Sequence, residues 1–396
     1  MNYHTSSLKL SENKVLKKIF ILLPGPLTQR EYIRFGVKTL EKEFLVKTLS
    51  LTPWLFPKFY KSYSTKSFYS ENSITINSEK DFLNLLNNIF PDIIIDGIGY
   101  PVTKKVRKII NNNGKSLFID LFMNSVPWSQ PNIKKRIKKL FSPNNLFNEL
   151  LNYIINKYYS LTRFKSDIGI VGGLFNLNIA KKNSRKLIHA HSMDYDIYLD
   201  IKDKPINKKN PYAVFIDQSN TYDFDIFNLK SPYNDEYYDL LVKFFKKLEK
   251  ETKLSVIFAA HPKTPSSIIK KFPNLLKGTE YQIDNTAELI KNSNLVLLHH
   301  STAFNFVTLF NKPSVFLTSN VLRGYSNVRP RIEDYAKSAN SKIINMDNDL
   351  NKLLDIKILS KIDEGAYKNF IDQHIKMPNS SNIPLWEIVT RYLKNY

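Results

Sequence analysis

Between residues 254 and 318 the chain twice repeats one pattern: an apolar run, an abrupt polar loop, then a helical stretch. Leu254-Ser-Val-Ile-Phe-Ala-Ala260 stops in His261-Pro262-Lys263. Leu295-Val-Leu-Leu298 stops in His299-His300-Ser301-Thr302-Ala303, and Phe304–Phe310 follows with helical spacing. Short, wholly apolar runs alternating with amphipathic stretches read as strands buried on both faces, which means parallel sheets covered by helices. The alternation continues along the whole chain, so the expected class is α/β with parallel sheets.

In the first half, strands are expected at Lys18–Leu23, Asp92–Ile95, Ser116–Ile119, Asp167–Val171 and Lys186–His189, with helices at Gln29–Leu45, Lys80–Ile89 and Val102–Asn112. In the second half, strands are expected at Tyr212–Ile216 and Pro313–Leu317 besides the two already given, with helices at Asp235–Thr252 and Thr286–Asn292. A chain of 396 residues exceeds one ordinary core. The polar, proline-containing stretch Lys202–Pro211 reads as a linker. We therefore expect an N-terminal Rossmann-like domain over 1–205 and a C-terminal nucleotide-binding domain over 206–383. A helix over 384–396, with Trp386, Ile388, Val389 and Leu393 on one face, is expected to pack back on the first domain.

With no cysteine, neither a disulfide framework nor a thiolate metal site can form. The apolar stretch Ile19–Leu23 is too short for a signal segment or a membrane span, so a cytoplasmic protein is expected. The formal net charge of +22 points to anionic partners. A basic helical insert is expected at about 130–165. Its stripe, Ile133-Lys-Lys-Arg-Ile-Lys-Lys-Leu-Phe141 continuing into Leu146–Tyr159, has the pattern of a helix lying on an anionic bilayer, which would place the protein on the inner membrane face. An ordinary solvated helix face has the same pattern. No signature of single-strand or groove recognition is present, so no nucleic-acid partner is expected.

Open parallel sheets bind ligands outside the carboxyl ends of their strands, and there the polar residues gather. Proline after His261 favours extended backbone and ends the strand, fixing an imidazole at the rim of the cleft. Protonated, it can neutralise a developing phosphate charge. Ser301 and Thr302, opening a helix, can cap it and offer the same donors to a phosphate. Pro262, Lys263, His300, Asp217 and Gln218 share these strand ends. Glu288, in the first turn of its helix, suits a ribose hydroxyl pair or the helix dipole. For a general base the candidates are Asp194 and Asp196 in His191-Ser-Met-Asp-Tyr-Asp196, then Asp96 in Asp96-Gly-Ile-Gly99, and Asp120.

The chain has no G-x-G-x-x-G, Walker, H-E-x-x-H or G-x-S-x-G motif. Asp194-Tyr-Asp196 and Asp223-Phe-Asp225 have D-x-D spacing, but neither directly follows a buried strand. Metal-independent chemistry is expected, with no metal ligands and no cofactor besides a donor substrate.

Tyr212–Asn320 resembles the nucleotide-binding domain of GT-B glycosyltransferases, through His261-Pro262, the helix Thr286–Asn292, and His300-Ser301-Thr302 followed by the Lys312-Pro313 strand. Within that group it looks most like bacterial transferases of CMP-activated acidic sugars, of the sialic acid and Kdo type. Ala190–Leu199 and Phe215–Gln218 look like surface-carbohydrate biosynthesis proteins of the capsule or lipopolysaccharide kind. The resemblance implies two Rossmann-like domains facing across a cleft. It also implies donor phosphate on His261, Ser301 and Thr302, a base from an N-domain aspartate, and a glycan or lipid-linked glycan as acceptor. Such families often carry an acidic residue before Asp-Gly; here Ile95 precedes Asp96-Gly97. Related readings are a CDP-glycerol-type polyol-phosphate transferase and a nucleotide-sugar 2-epimerase. A non-catalytic membrane- or RNA-binding protein is the reading from another class.

Overall fold

The computed structural model describes residues 16–57, 71–100, 102–123, 125–127, 164–206, 210–218, 234–262, 264, 266–325, 328–349 and 354–396. Two parallel sheets organise it. The first contains β1 (Lys18–Leu23), β2 (Leu45–Ser50), β3 (Ser73–Thr75), β4 (Ile93–Asp96), β5 (Leu117–Phe122), β6 (Ser166–Val171) and β7 (Ser184–His189), in the order β3-β2-β1-β4-β5-β6-β7. The second contains β8 (Tyr212–Ile216), β9 (Ser255–Ala260), β10 (Glu280–Ile283), β11 (Leu295–Leu298), β12 (Ser314–Thr318) and β13 (Lys342–Asn345), in the order β10-β9-β8-β11-β12-β13.

Each sheet reverses its winding once, between β1 and β4 in the first and between β8 and β11 in the second. Every residue of β8, β11 and β12 is buried, as central strands covered on both faces require. Ile19, Ile21, Ile95 and Ile170 form one face of the first core, and the helix Leu385–Lys394 covers it with Leu385, Trp386, Val389 and Leu393. The chain thus returns to the first sheet after finishing the second. On the way, the Met377 N–H donates to the Ala190 carbonyl at 2.9 Å.

The helix Met193–Ile201 leaves β7 and joins the lobes, packing on Thr286–Asn292 and Phe304–Leu309 of the second lobe. The buried Lys291 ammonium donates to the carbonyls of Ile201 and Lys204, satisfying groups left open where that helix ends.

Differences from the expected elements have local causes. The helix expected over Gln29–Leu45 breaks into Gln29–Arg34 and Val37–Leu40, and Leu45 opens β2. Gly36 makes the break at φ +53°, and a Cβ there would lie 2.3 Å from the Trp386 ring. Asp120 lies within β5 rather than past its end, in register with Asp96. The strands β2, β3, β10 and β13 were not expected, because short polar-containing strands near or at sheet edges lack a continuous apolar run. The basic insert falls outside the described residues up to residue 163. Among the described residues no helix is long and apolar enough to cross a membrane.

Candidate functional site

Strands β9, β8 and β11 are neighbours, and their carboxyl ends carry His261-Pro262, Asp217-Gln218 and His300-Ser301-Thr302. The middle loop ties the outer two together. The Asp217 carboxylate accepts the His261 backbone N–H at 3.4 Å, and the Gln218 side-chain amide donates to the His300 carbonyl. Two strand spacings separate β9 from β11, about 10 Å, which is within the reach of one nucleotide. The site lies at the switch point of the second sheet, where such folds take ligands. Burial lifts the Asp217 carboxyl to about 7, against the pull of the backbone N–H groups of Gln218 and His261.

Ser301 caps the turn after β11: its Oγ accepts the Ala303 N–H at 3.2 Å, and its carbonyl accepts the Phe304 N–H at 3.1 Å. Thr302 is exposed, Ser301 partly so. The Nδ1 of His300 is buried without a hydrogen-bond partner among the described residues, a costly arrangement that a ligand oxygen or hydroxyl would relieve. Burial, reinforced by the charge of Arg331 and by His299, holds this imidazole neutral down to about 3. His261 is half-buried and Pro262 exposed; Lys263 lies outside the described residues.

The first lobe approaches at Asp194. Asn305 Nδ2 donates to Asp194 Oδ2 at 2.8 Å, and Arg34 lies 3.9 Å from Asp194 Oδ1. Arg34 and Arg30 project from the helix that follows β1, at the switch point of the first sheet. The charges of Arg34, Glu31, Asp194 and Asp284 all act on Arg30. Arg34, with Arg30 beside it, thus sets positive charge at a polar contact between the lobes, while the charge of Arg331 acts on His300.

The remaining predicted acids lie in other surroundings. The Asp96 carboxylate accepts the N–H groups of Ile98 (3.0 Å) and Gly99 (2.8 Å) and pairs with Arg107, which also grips Asp120. The three form a buried ion cluster inside the first lobe. Asp196 accepts the Leu385 N–H at 2.9 Å, fastening the C-terminal helix, and burial raises it to about 7. Glu288 pairs with Lys204 at 3.2 Å across the joint. Two further histidines near the strand ends are enclosed: His191 between the carbonyls of Ser192 (3.1 Å) and Ile383 (2.9 Å), and His299 between the Tyr237 hydroxyl and the Leu317 carbonyl (both 2.7 Å). Both are structural.

Sequence reasoning overlooked Arg30, Arg34, Asn305 and Arg331. The two N-lobe arginines carried a readable signal, spacing of four on a helix directly after a buried strand and Pro-Gly-Pro. Asn305 and Arg331 lie in ordinary helical stretches and carried none. Two surface concavities, of about 470 Å³ beside Tyr212 and Glu280 and about 480 Å³ beside Lys165 and Arg185, lie at the amino ends of the strands and away from this chemistry.

No protein-family model matches the sequence, and no curated protein matches it. Solved structures do match in fold. The UDP-GlcNAc 2-epimerase of Methanocaldococcus jannaschii aligns over 96% of this chain and 100% of its own, at 14% identity and a TM-score of 0.50. S. aureus MnaA, solved with UDP, aligns over 96% and 97%, at 13% identity and a TM-score of 0.50. The wall teichoic acid polymerase TagF aligns over 96% and 87%, at 9% identity and a TM-score of 0.52. With two parallel-sheet α/β lobes whose strand ends meet across a joint, and with these likenesses over nearly its whole length, the chain has the GT-B fold.

Proposed function

We propose that the protein is a metal-independent, inverting glycosyltransferase that moves an acidic sugar from a CMP-linked donor to a cell-surface glycan or lipid-linked glycan. The observation that carries this reading is the tie made by Asp217 and Gln218, which gathers His261, His300 and Ser301 at one switch point opposite Arg34 and Asp194. His261, with Ser301 and Thr302, binds the donor phosphate and stabilises the charge that grows as the nucleotide leaves. Arg30, Arg34 and Arg331 complement an acidic sugar, and the excess of basic residues favours encounter with anionic donors and acceptors. Imidazole, hydroxyl and guanidinium groups supply the positive field at the phosphate, so the reading requires no metal.

The test is incubation of the full chain with CMP-sialic acid, CMP-Kdo, CDP-glycerol and UDP-GlcNAc, with glycan acceptors and mass analysis of products. The reading expects CMP release and an acceptor heavier by one acidic sugar. A second reading, a nucleotide-sugar 2-epimerase, draws support from likeness to the Methanocaldococcus jannaschii UDP-GlcNAc 2-epimerase over nearly the whole chain. It expects UDP-GlcNAc to yield an isomer of unchanged mass without any acceptor, and that result would replace the first reading. Transfer of glycerol phosphate from CDP-glycerol would favour the polyol-phosphate reading, which the likeness to TagF supports.

A further inference from the structure

The first sheet has a switch point of its own, between β1 and β4. The turn Gly97–Tyr100 leaves the end of β4 at this point, with all of its residues half-buried. Open parallel sheets take ligands at such places. We propose that this turn reads sugar hydroxyls of the acceptor through the backbone carbonyls of Gly97 and Ile98, with Asp96 as the residue that positions them. The inference rests on the transferase reading above and deepens it.

The turn is tied to the joint between the lobes. The Gly97 N–H donates to the Leu22 carbonyl at the end of β1, at 3.0 Å. A Cβ on Gly97 would stand 2.6 Å from both that carbonyl and the Phe35 ring, so only glycine admits the approach. Phe35 directly follows Arg34, whose guanidinium lies 3.9 Å from Asp194. Asp194 in turn accepts from Asn305, on the helix behind Ser301-Thr302. A run of direct contacts thus leads from the turn to the other lobe.

Asp96 gives the turn its chemical polarity. Its Oδ1 accepts the N–H groups of Ile98 at 3.0 Å and Gly99 at 2.8 Å, while Oδ2 takes the Thr103 hydroxyl and the Arg107 guanidinium. Both N–H groups therefore point inward, at the buried cluster. In a planar trans peptide the carbonyl points opposite to the N–H of the same unit. The carbonyls of Gly97 and Ile98 are thereby turned away from the cluster as two adjacent acceptors. Gly99 carries the backbone round at φ +95°, and a Cβ on it would meet nothing within 4 Å, so open space adjoins the turn.

A pair of acceptors selects its ligand. A phosphate or carboxylate is itself an acceptor and gains nothing from a carbonyl, whereas neighbouring hydroxyls of a sugar can each donate to one. The strand ends of the second lobe have the opposite character, since the Ser301 and Thr302 hydroxyls and the His261 imidazole can donate. The two sides of the joint are thus divided, with nucleotide phosphate on the second lobe and the hydroxyl-bearing acceptor on the first. Asp96, 2% exposed and paired with Arg107, acts by holding the turn and not as a base.

Gly99→Ala tests this, because it strains a backbone conformation that favours glycine while leaving the buried cluster and the second lobe untouched. With the donor and acceptor identified above, the KM for the acceptor is expected to rise roughly tenfold to hundredfold, the scale of one or two hydrogen bonds, with kcat changing less. The donor KM and the calorimetric affinity for CMP and UDP should stay those of the wild type. Asp96→Ala, which releases both N–H groups, should raise the acceptor KM likewise, and adding it to Gly99→Ala should raise it little further. An acceptor KM left unchanged by Gly99→Ala, or a donor KM raised as much, would overturn the assignment while leaving the transferase reading intact. If the wild type transfers from no donor, that reading fails and the assignment fails with it. Should neither variant fold, singly deoxygenated acceptors decide with the wild-type chain. Losses at two neighbouring hydroxyls support the assignment, and no loss at any hydroxyl overturns it.

Discussion

Asn305 Nδ2 donates to Asp194 Oδ2 at 2.8 Å, and this bond joins the helix behind Ser301-Thr302 to the first turn of the helix that leaves the first sheet. Both residues are buried, at 3% and 9% exposure, so neither partner can fall back on water. Asn305→Ala takes from a buried carboxylate its hydrogen-bond donor and is expected to cost about 1–3 kcal/mol. Asn305→Asp, which sets like charges face to face, should cost more. Urea denaturation measures both, and an unchanged midpoint for Asn305→Ala would mean the lobes do not depend on this contact.

The cluster of Arg107, Asp96 and Asp120 predicts a larger effect. Arg107 is 1% exposed and lies between two buried carboxylates in the first lobe. Truncating one member of a buried ion pair typically costs about 3–5 kcal/mol, because its partner is left uncompensated. Arg107→Met should fall at the upper end, since two charges are stranded. Combining it with Asp96→Asn and Asp120→Asn should recover much of the loss. Denaturation midpoints of the single and triple variants check both statements.

A pH dependence follows from Asp217. Its folded-state carboxyl is raised from the ordinary 3.8 to about 7 by burial. A raised carboxyl holds its proton in the folded state after the unfolded chain has lost it. Its favourable contribution is therefore complete below about pH 4 and disappears as pH rises through 7. Asp217→Asn keeps an oxygen to accept the His261 N–H but cannot ionise. Relative to the wild type, its stability should improve steadily from pH 4 to 7 and level off above, as read by thermal unfolding across that range. His300 acts with the opposite sign: depressed to about 3, it contributes stability that is full above pH 6.5 and lost on acidification.

Gln218 offers a test of the loop tie itself. Gln218→Ala removes the side-chain bond to the His300 carbonyl while β8 and β11 keep their backbone pairing. Nucleotide affinity should drop with little loss of stability. A variant that binds as the wild type does would show that the two loops hold their positions without the tie.

Much of this architecture was legible in the residues, and the reasons are specific. Tyr212–Ile216, Leu295–Leu298, Asp235–Thr252 and Thr286–Asn292 lie where their patterning placed them, because central strands of a parallel sheet are uninterruptedly apolar and amphipathic helices keep their period. The strand ends, and so the neighbourhood of His261, His300 and Ser301, followed directly. What did not follow was pairing over long separations. Nothing near Asp96 announces Arg107 and Asp120 as its partners, and nothing near Asp196 announces Leu385.

The most direct test of the central claim is calorimetric titration of the full chain with CMP, UDP and their parent nucleosides. The account predicts saturable binding of at least one nucleotide and much weaker binding of its nucleoside, because the phosphate supplies the contacts. It also predicts roughly tenfold to hundredfold losses for His261→Ala and for Ser301→Ala, the scale of one charge-assisted hydrogen bond. Binding that ignores the phosphate, or that survives both substitutions unchanged, would contradict it.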